Sequence, residues 1–324
     1  MNLVTLKFTV DGVERSVTID RNLPTVDDGL AFYISQLSNV EAKIYETKYR
    51  NIIYQELVPV DTSDPEWVDQ ISYRSYDAVT MGKFIGANGD DLPQVAMNAK
   101  IDHIPVGYGG ISFGYTLDEL RKSMAMNMAI DAEGGKMSFR GFQEHCQRLA
   151  FNGDSARGMY GLFNNPNVQS ANSTVDWSTA TNDEIVEDLN QPLLDVWENS
   201  ANVHLADTLG IDSTRWAYIA TTRMASGTDT TILEYFMKNN LFTAKTGGQL
   251  EIKPILELGT AGTGSVARMI AYEKTPENLV MKLPMPWRTL PPQPKGLRID
   301  VPSEYKVGGV EFRYPGSAAY RDAI

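Results

Sequence analysis

Apolar and polar residues alternate at the start of the chain. Apolar side chains alternate with polar ones from Val4 to Val10, a second alternating stretch runs from Val13 to Ile19, and Asp11-Gly12 lies between them. An Asp-Gly pair between two such stretches is a strong signal for a β-hairpin. Because a two-stranded hairpin is only marginally stable alone in water, we expect this one to lie on another surface.

The longest alternating pattern predicts a second and much larger hairpin. One arm lies in residues 71–85 and the other in the stretch from Leu92 to Tyr115, which alternates from Val95 to His103. The arms flank Asn88-Gly89, a pair preferred in type I′ turns. Arms of about 15 residues would reach on the order of 50 Å, which is longer than a domain of this size needs for its own core. We therefore expect the hairpin to fold back on its own body or to lie on another subunit. An ordinary meander inside a β-rich core is the alternative.

Helical periodicity follows this hairpin. Thr116–Glu119 matches a capping box, and the helix that it opens is predicted to run to about Ala150 and to end at Asn152-Gly153-Asp154. Gly134-Gly135 is expected to kink or interrupt that helix, since glycine pairs are a usual cause of sharp bends. A second capping box, Thr181–Glu184, predicts the start of another helix.

The remaining segments divide between helices, loops and strands. Further helices are predicted over residues 29–48 and 230–240, and a loop over residues 155–180. Strands are predicted over Ile52–Val60, Trp216–Ala220, Leu250–Leu258, Ser265–Lys274, Leu297–Val301 and Val307–Tyr314, the last two being split by Gly308-Gly309. The alternation of helices and strands from 181 to 285 indicates a compact α/β or α+β unit, and we predict an α+β protein overall.

Composition and charge exclude several classes of protein. Hydrophobic residues make up 42% of the 324 residues and charged residues 22%, which is typical of a folded chain and not of a disordered one. No run approaches the roughly 18 apolar residues of a membrane span, and the charges near the N-terminus do not fit a secretory signal. The formal net charge of -12 argues against tight binding to a phosphate backbone.

Few residues are available for catalysis or metal binding. With three histidines and one cysteine, the chain has no internal disulfide and offers almost no basis for a His/Cys metal site. His145 and Cys146 are neighbours, so on a helix they point about 100° apart and do not pair as base and nucleophile. Gly259–Gly264 lacks the order of a phosphate loop, and we interpret it as a turn. Ser303–Lys306 and Lys245–Gly247 match β-lactamase fragments only in reverse order. We predict no catalytic, cofactor-binding or metal-binding residue.

Several segments resemble the major capsid proteins of tailed bacteriophages. They are Pro105–Tyr108 with the helix that follows, Ala150-Phe151-Asn152-Gly153-Asp154, and Gly158-Met159-Tyr160-Gly161-Leu162-Phe163-Asn164. The proline-rich strand region ending at Gly308-Gly309-Val310 is similar as well. By element order the resemblance covers essentially the whole chain, and it is most specific between residues 100 and 165. It implies the Hong Kong 97 capsid fold, which encapsulins share.

The resemblance implies four parts. Residues 1–62 would form an N-terminal arm, 63–112 an extended loop, 113–175 with 290–324 a peripheral domain carrying a spine helix, and 176–289 an axial domain. In this family the extended loop lies over a neighbouring subunit. Inter-subunit contacts are therefore expected from Lys83, Phe84, Ile85, Asp90, Asp91 and Leu92 at its tip. Some relatives are cross-linked through a lysine of this loop, but nothing in the sequence identifies a partner for Lys83.

The implied function is that of a major capsid protein. Its copies would assemble as hexamers and pentamers into an icosahedral head shell that encloses double-stranded DNA without sequence-specific binding. Scaffold, portal and decoration proteins would be separate, assembly would take place in the host bacterial cytoplasm, and the product would be a virion or prophage component. Two alternatives stay open. An encapsulin-type compartment shell is disfavoured by the N-terminal hairpin, and a soluble α+β enzyme is disfavoured by the scarcity of His and Cys.

Overall fold

The computed structural model describes residues 3–10, 13–20, 50–79, 96–126 and 130–324. The chain divides into two units between Asn51 and Ile52. In the first unit β1 (Leu3–Val10) pairs antiparallel with β2 (Val13–Asp20), with Val10 opposite Val13. This pairing confirms the predicted N-terminal hairpin. The helix predicted over residues 29–48 lies outside the described residues.

The described part of the second unit mixes short strands with helices of very different lengths. The helices are α1 (Tyr54–Leu57), α2 (Leu117–Met126), α3 (Ile130–Asn152), α4 (Asn182–Asn199), α5 (Ser213–Thr221), α6 (Ile232–Lys238) and α7 (Leu241–Thr246). The strands are β3 (Val60–Asp61), β4 (Gln70–Val79), β5 (Ala96–Thr116), β6 (Gln169–Asn172), β7 (Thr208–Ile211), β8 (Glu251–Pro254), β9 (Arg268–Tyr272), β10 (Leu279–Lys282), β11 (Met285–Thr289), β12 (Gln293–Lys295), β13 (Arg298–Gly308), β14 (Val310–Phe312) and β15 (Ala318–Asp322).

The strands of the second unit form three sheets within the described residues. In the smallest, β10 lies between β14 and β3. The second has the order β11–β13–β5–β4, and β12 also pairs with β13. The third has the order β6–β15–β9–β7–β8. The mixture of parallel and antiparallel pairs, together with the helices, confirms the α+β class.

The third sheet separates two hydrophobic cores. Along β9, Ile270 and Tyr272 pack into a core built around α3, while Met269 and Ala271 pack into a core built around α4. Successive side chains of a strand point to opposite faces, so both faces of this sheet are covered. Both cores therefore share one sheet as a wall.

Side-chain caps fix the starts of two helices as predicted. Glu119 Oε2 accepts a hydrogen bond from the Thr116 N–H (2.9 Å), and Thr116 Oγ1 accepts one from the Glu119 N–H (3.2 Å). Thr181 and Glu184 form the same capping box at the start of α4. Helix α3 ends at Asn152, and the next residue, Gly153, has a φ of 64°. Within the described ranges, every helix falls short of the length or apolar character that a membrane crossing requires.

Two of the predicted strands are helices. Ile52–Val60 contains α1, because Tyr54 and Leu57, three positions apart, are both buried, and the Ile53 N–H donates to Gln147 Oε1 (2.9 Å). Trp216–Ala220 belongs to α5, since the side chain of Asp212 caps that helix by accepting the Thr214 N–H (3.1 Å). In both segments a hydrogen bond to a side chain at the start of the helix favours helix over strand. Gln147 accepts it from Ile53 before α1, and Asp212 accepts it from Thr214 at the start of α5.

Other boundaries also differ from the prediction. The helix is not interrupted at Gly134-Gly135, which lie inside α3. Residues 155–180 were predicted as a loop but contain β6, which gains its hydrogen bonds from β15. Leu250–Leu258 is a strand only up to Pro254, and a 3₁₀ turn follows. The strand predicted over Leu297–Val301 continues without a break to Gly308 as β13. The rest of the strand predicted over Val307–Tyr314 is β14. The strand predicted over Ser265–Lys274 is confirmed as β9, and the helix predicted over residues 230–240 is confirmed as α6.

Candidate inter-subunit surface

One strand joins the body of the second unit to a projecting hairpin. β5 pairs with β4 over Ala96–Pro105 and with β13 over Val106–Thr116. We call the first part, Gln70–Val79 paired with Ala96–Pro105, the long hairpin. Its 10-residue β4 spans about 33 Å at about 3.3 Å per residue. The hairpin is thus anchored to the body through a continuous strand.

The described side chains of the long hairpin contribute nothing to a core. Of its side chains, the structure describes residues 70–73 and 101–105, and none of these is buried. Ser72 Oγ lies 2.8 Å from His103 Nδ1, a polar contact across the two strands. A two-stranded ribbon without a buried apolar face is marginally stable in water. The ribbon therefore needs additional surface to be held in one conformation.

Basic side chains hold the segment that leads into the hairpin. We call this segment, residues 59–69, the root strap. Lys306 Nζ of β13 lies 2.7 Å from Asp69 Oδ1, and Arg288 Nη1 of β11 lies 2.9 Å from Glu66 Oε2. The strap is thus tied to the same sheet from which the hairpin projects.

A buried lysine holds the start of the root strap. β3 runs parallel to β10 and places Asp61 opposite Lys282. Lys282 Nζ lies 2.7 Å from Asp61 Oδ2 and 3.0 Å from Asp64 Oδ2. Burial by itself would lower the pKa of Lys282, but hydrogen bonds to both carboxylates outweigh it and raise that pKa. Hydrogen bonds from Lys282 and Ser63 hold the pKa of Asp61 well below its ordinary value.

Glu304 links the root strap to the base of the hairpin. It accepts a hydrogen bond from the Tyr108 hydroxyl, and its Oε1 lies 2.7 Å from Arg288 Nε. The hydrogen bond from Tyr108, followed by that from Arg288, lowers the pKa of Glu304. Arg288 therefore bridges a carboxylate of the body and one of the strap.

The long helix packs on this sheet through a row of aromatic rings. Phe142 of α3 meets Tyr305 of β13 edge to face, with 4.8 Å between ring centroids. His145 Nδ1 and the Tyr305 hydroxyl share a hydrogen bond, and burial lowers the pKa of His145. Phe139 likewise meets Trp287 of β11 at 5.3 Å. These contacts make helix and sheet one platform for the hairpin.

Trp67 and Leu297 are the two most exposed large apolar side chains of the described residues. Trp67 of the root strap and Leu297, between β12 and β13, are each 80% exposed. Trp67 stands among the acidic side chains Glu66 and Asp69. An aromatic anchor with a charged rim is typical of protein–protein interfaces. The region therefore has the chemistry of an association surface.

The six residues predicted to contact a neighbouring subunit lie outside the described residues. They are Lys83, Phe84, Ile85, Asp90, Asp91 and Leu92. In the chain they fall between Val79 and Ala96, the last described pair of the hairpin. Sequence reasoning missed the root strap. Its signal is the row of acidic residues before the hairpin, but the basic partners follow 218 to 237 positions later in the chain.

Reactive side chains are placed in structural roles. Cys146 is buried, and burial raises the pKa of its thiol to about 12, so the thiolate needed for nucleophilic attack is not available near neutral pH. Ser303 is buried, and Lys306 is occupied by Asp69. Across the described ranges, no three His, Cys, Asp or Glu side chains are grouped to hold a metal ion.

Comparisons with known proteins agree on one family and one fold. The model of the major capsid protein family matches residues 81–324. The capsid of Myoviridae phage XM1 is similar with a TM-score of 0.76 and 14% identity, covering 90% of this chain and 98% of that one. The capsid of a native GTA particle has a TM-score of 0.60 and 10% identity, covering 93% and 99%. A virus-like particle from Pyrococcus furiosus has a TM-score of 0.50 and 15% identity, covering 83% and 91%.

No curated protein is similar enough to match the chain. At these identities the structural likeness establishes the fold. The predicted Hong Kong 97-type capsid fold is thereby confirmed.

Proposed function

The chain belongs to the major capsid protein family, and on that premise we propose that its copies form the closed icosahedral head of a tailed phage. Family membership makes it a structural protein of a shell and not an enzyme. The observation that carries the proposal is the long hairpin, which projects from the sheet without a described buried side chain. Such a ribbon finds its missing surface on a neighbouring copy.

The proposed contact residues are those at the hairpin tip. Lys83, Phe84, Ile85, Asp90, Asp91 and Leu92 combine apolar, basic and acidic groups within a short segment. Apolar groups supply the energy of association, and charged groups select the register and the partner. Exposed Trp67, at the root of the hairpin, offers an aromatic anchor for a separate contact at the other end of β4.

The proposed division of labour follows the four predicted parts. Residues 1–62 serve as the arm, 63–112 as the extended loop, 113–175 with 290–324 as the peripheral domain, and 176–289 as the axial domain. The separate core around α4 supports an axial domain, because most of its members fall within residues 176–289. In a shell of hexamers and pentamers, the axial domains would meet at the symmetry axes.

The acidic charge suits a container for DNA. A net charge of -12 per copy repels the phosphate backbone, so the enclosed double-stranded DNA is retained by the closed wall and not by sequence-specific contacts. We expect separate scaffold, portal and decoration proteins, and assembly in the cytoplasm of the host before the virion is released.

Electron microscopy of the purified chain tests the proposal. Closed icosahedral particles are expected when the chain is concentrated, in the presence or absence of a scaffold protein. A chain that stays monomeric under all such conditions would contradict a shell. The likeness to a virus-like particle from Pyrococcus furiosus keeps a compartment shell as the second candidate. Neighbouring genes for a portal and a terminase would identify the phage head.

A further inference from the structure

The long hairpin is joined to the body by two chain segments that are held in different ways. On one side, β5 continues past Pro105 into an 11-residue pairing with β13, so backbone hydrogen bonds fix its direction. On the other side, the backbone of the root strap is bonded to the sheets near its two ends. The Leu283 N–H donates to the Asp61 carbonyl (2.8 Å), and the Val106 N–H donates to the Asp69 carbonyl (3.0 Å). Between these two points, contacts of side chains connect the strap to the sheet.

Three basic residues, Lys282, Arg288 and Lys306, make these contacts. The contacts differ in how strongly solvent screens them. The Arg288–Glu66 pair is half exposed on both sides, and Asp69, the partner of Lys306, is 86% exposed. Exposed ion pairs of this kind contribute little to stability. The side chain of Lys282 is only 7% exposed, and it contacts two carboxylates. Loss of Lys282 would therefore destabilise the root strap more than loss of Arg288 or Lys306.

A third carboxylate increases the dependence on Lys282. Glu311 of β14 is buried and interacts electrostatically with both Lys282 and Asp64. Without the ammonium group, Asp61, Asp64 and Glu311 would be left near one another with no buried cation between them. Removing one partner of a buried ion pair is strongly destabilising because the remaining charge is uncompensated. The segment free to move away is the part of the strap that follows Asp61 and carries Asp64, since Glu311 and Asp61 are both paired within the sheet.

We propose that Lys282 is the positioning residue that fixes the direction in which the long hairpin leaves the subunit, by neutralising Asp61 and Asp64 of the root strap. This role rests on the proposed function, in which the hairpin must reach a neighbouring copy. A rigid root limits the orientations of the hairpin and lowers the entropy lost when copies associate. Lys282 thus acts on assembly through the strap and not by touching the neighbour.

Hydrogen exchange of the unassembled full-length chain tests the local part of the inference. In Lys282→Met, the amides of β4 and its partner in β5 should exchange about tenfold faster or more, because the hairpin root opens without global unfolding. Asp64→Asn, a milder variant that keeps the Asp61 contact, should shift the same amides in the same direction by less. Unchanged exchange of these amides in both variants would overturn the inference.

Arg321→Met is the matched control. Arg321 is 9% exposed and contacts two carboxylates, Asp188 and Asp195, away from the root strap. This variant should lower the unfolding temperature and leave hairpin exchange relative to the rest of the chain unchanged. If Arg321→Met accelerates amide exchange in the hairpin as much as Lys282→Met does, the effect is general destabilisation and the positioning role is wrong.

A compensated variant and an assembly assay complete the test. Lys282→Met with Asp61→Asn and Asp64→Asn removes all three charges together and should restore most of the slow exchange. Failure to restore it would show that charge balance does not hold the strap. Lys282→Met should give open or irregular particles where the unsubstituted chain gives closed ones, and closed particles of the original diameter would refute a role in assembly. If the unsubstituted chain forms no particles, the proposed function fails, while the exchange data still decide the role of Lys282.

Discussion

Buried charges in the described part of the second unit are generally hydrogen-bonded to a partner, and Glu311 departs from that pattern. The guanidinium of Arg268 lies 2.8 Å from Asp322 Oδ2, and both side chains are buried. Both carboxylate oxygens of Glu311 are buried, and neither accepts a hydrogen bond from the described residues. Arg313 Nε lies 3.4 Å from Glu311 Oε1. Burial raises the pKa of Glu311, and the attraction of Arg313 and Lys282 only partly opposes this effect.

Glu311→Gln should stabilise the protein at neutral pH. Because the folded-state pKa of Glu311 is raised, its protonated carboxyl contributes stability. That stability is fully present below the unfolded-state pKa and is lost as pH rises through the folded-state pKa. The neutral amide avoids that loss, and we expect a gain of about 1 kcal/mol in the free energy of unfolding at pH 7. The gain should vanish near pH 4. Urea unfolding from pH 4 to pH 8 measures it, and the groups facing Glu311 are Arg313, Lys282, Asp64 and Tyr73.

Glu304→Gln is the control of opposite sign. Hydrogen bonds from Tyr108 and Arg288 lower the pKa of Glu304, so its charge contributes stability above the unfolded-state pKa that is lost as pH falls through the lower folded-state value. This variant should lose stability at pH 7 and approach the unsubstituted protein in acid. A loss for Glu311→Gln that is the same at all pH values would contradict an unfavourable buried charge at position 311.

At the scale of elements, the two adjacent glycines of α3 differ in how closely other side chains pack against them. Gly134 and Gly135 are adjacent in the helix, and a glycine pair predicts a bend or break. A methyl group at Gly134 would lie 2.6 Å from Phe113 Cδ2 and collide with the Tyr115 hydroxyl of β5, whereas one at Gly135 would meet open space. Gly134 therefore allows the helix to approach β5, while Gly135 has no such contact.

Alanine substitutions at the two glycines should have opposite effects. Gly135→Ala should raise the free energy of unfolding by about 0.5–1 kcal/mol, because alanine loses less backbone entropy in a helix. Gly134→Ala should lower it by about 1–3 kcal/mol through overpacking against β5. Thermal and urea unfolding of both variants measures the difference. Equal gains from both would show that helix and strand separate without penalty at Gly134.

The elements that the sequence predicted share local signals. Capping boxes at Thr116 and Thr181 place helix starts, since the cap uses residues within one turn. The elements that were predicted wrongly depend on distant partners. β6 forms because β15 pairs with it, and α1 is fixed by Gln147, 94 positions away from Ile53. Local propensity cannot register such contacts.

At the scale of the whole molecule, the segment Lys83–Leu92 should be dispensable for folding and necessary for assembly. Deleting Lys83–Leu92 should leave the unfolding temperature and circular dichroism nearly unchanged, because both hydrophobic cores lie elsewhere. Particles should be absent or unstable under conditions where the full chain forms them, as electron microscopy and sedimentation would show. Unfolding of the deleted chain would instead place the hairpin in the core of its own subunit.

The sequence by itself determined the α+β class, the two capped helices, the long alternating arms and the resemblance to capsid proteins. These properties follow from periodicity and capping, which act over a few residues. Only the tertiary structure decided that β5 serves both hairpin and body, that one sheet separates two cores, and that Lys282 meets Asp61 and Asp64. Charges more than 200 positions apart have no shared pattern in the chain. They come together because parallel pairing of β3 with β10 puts them side by side.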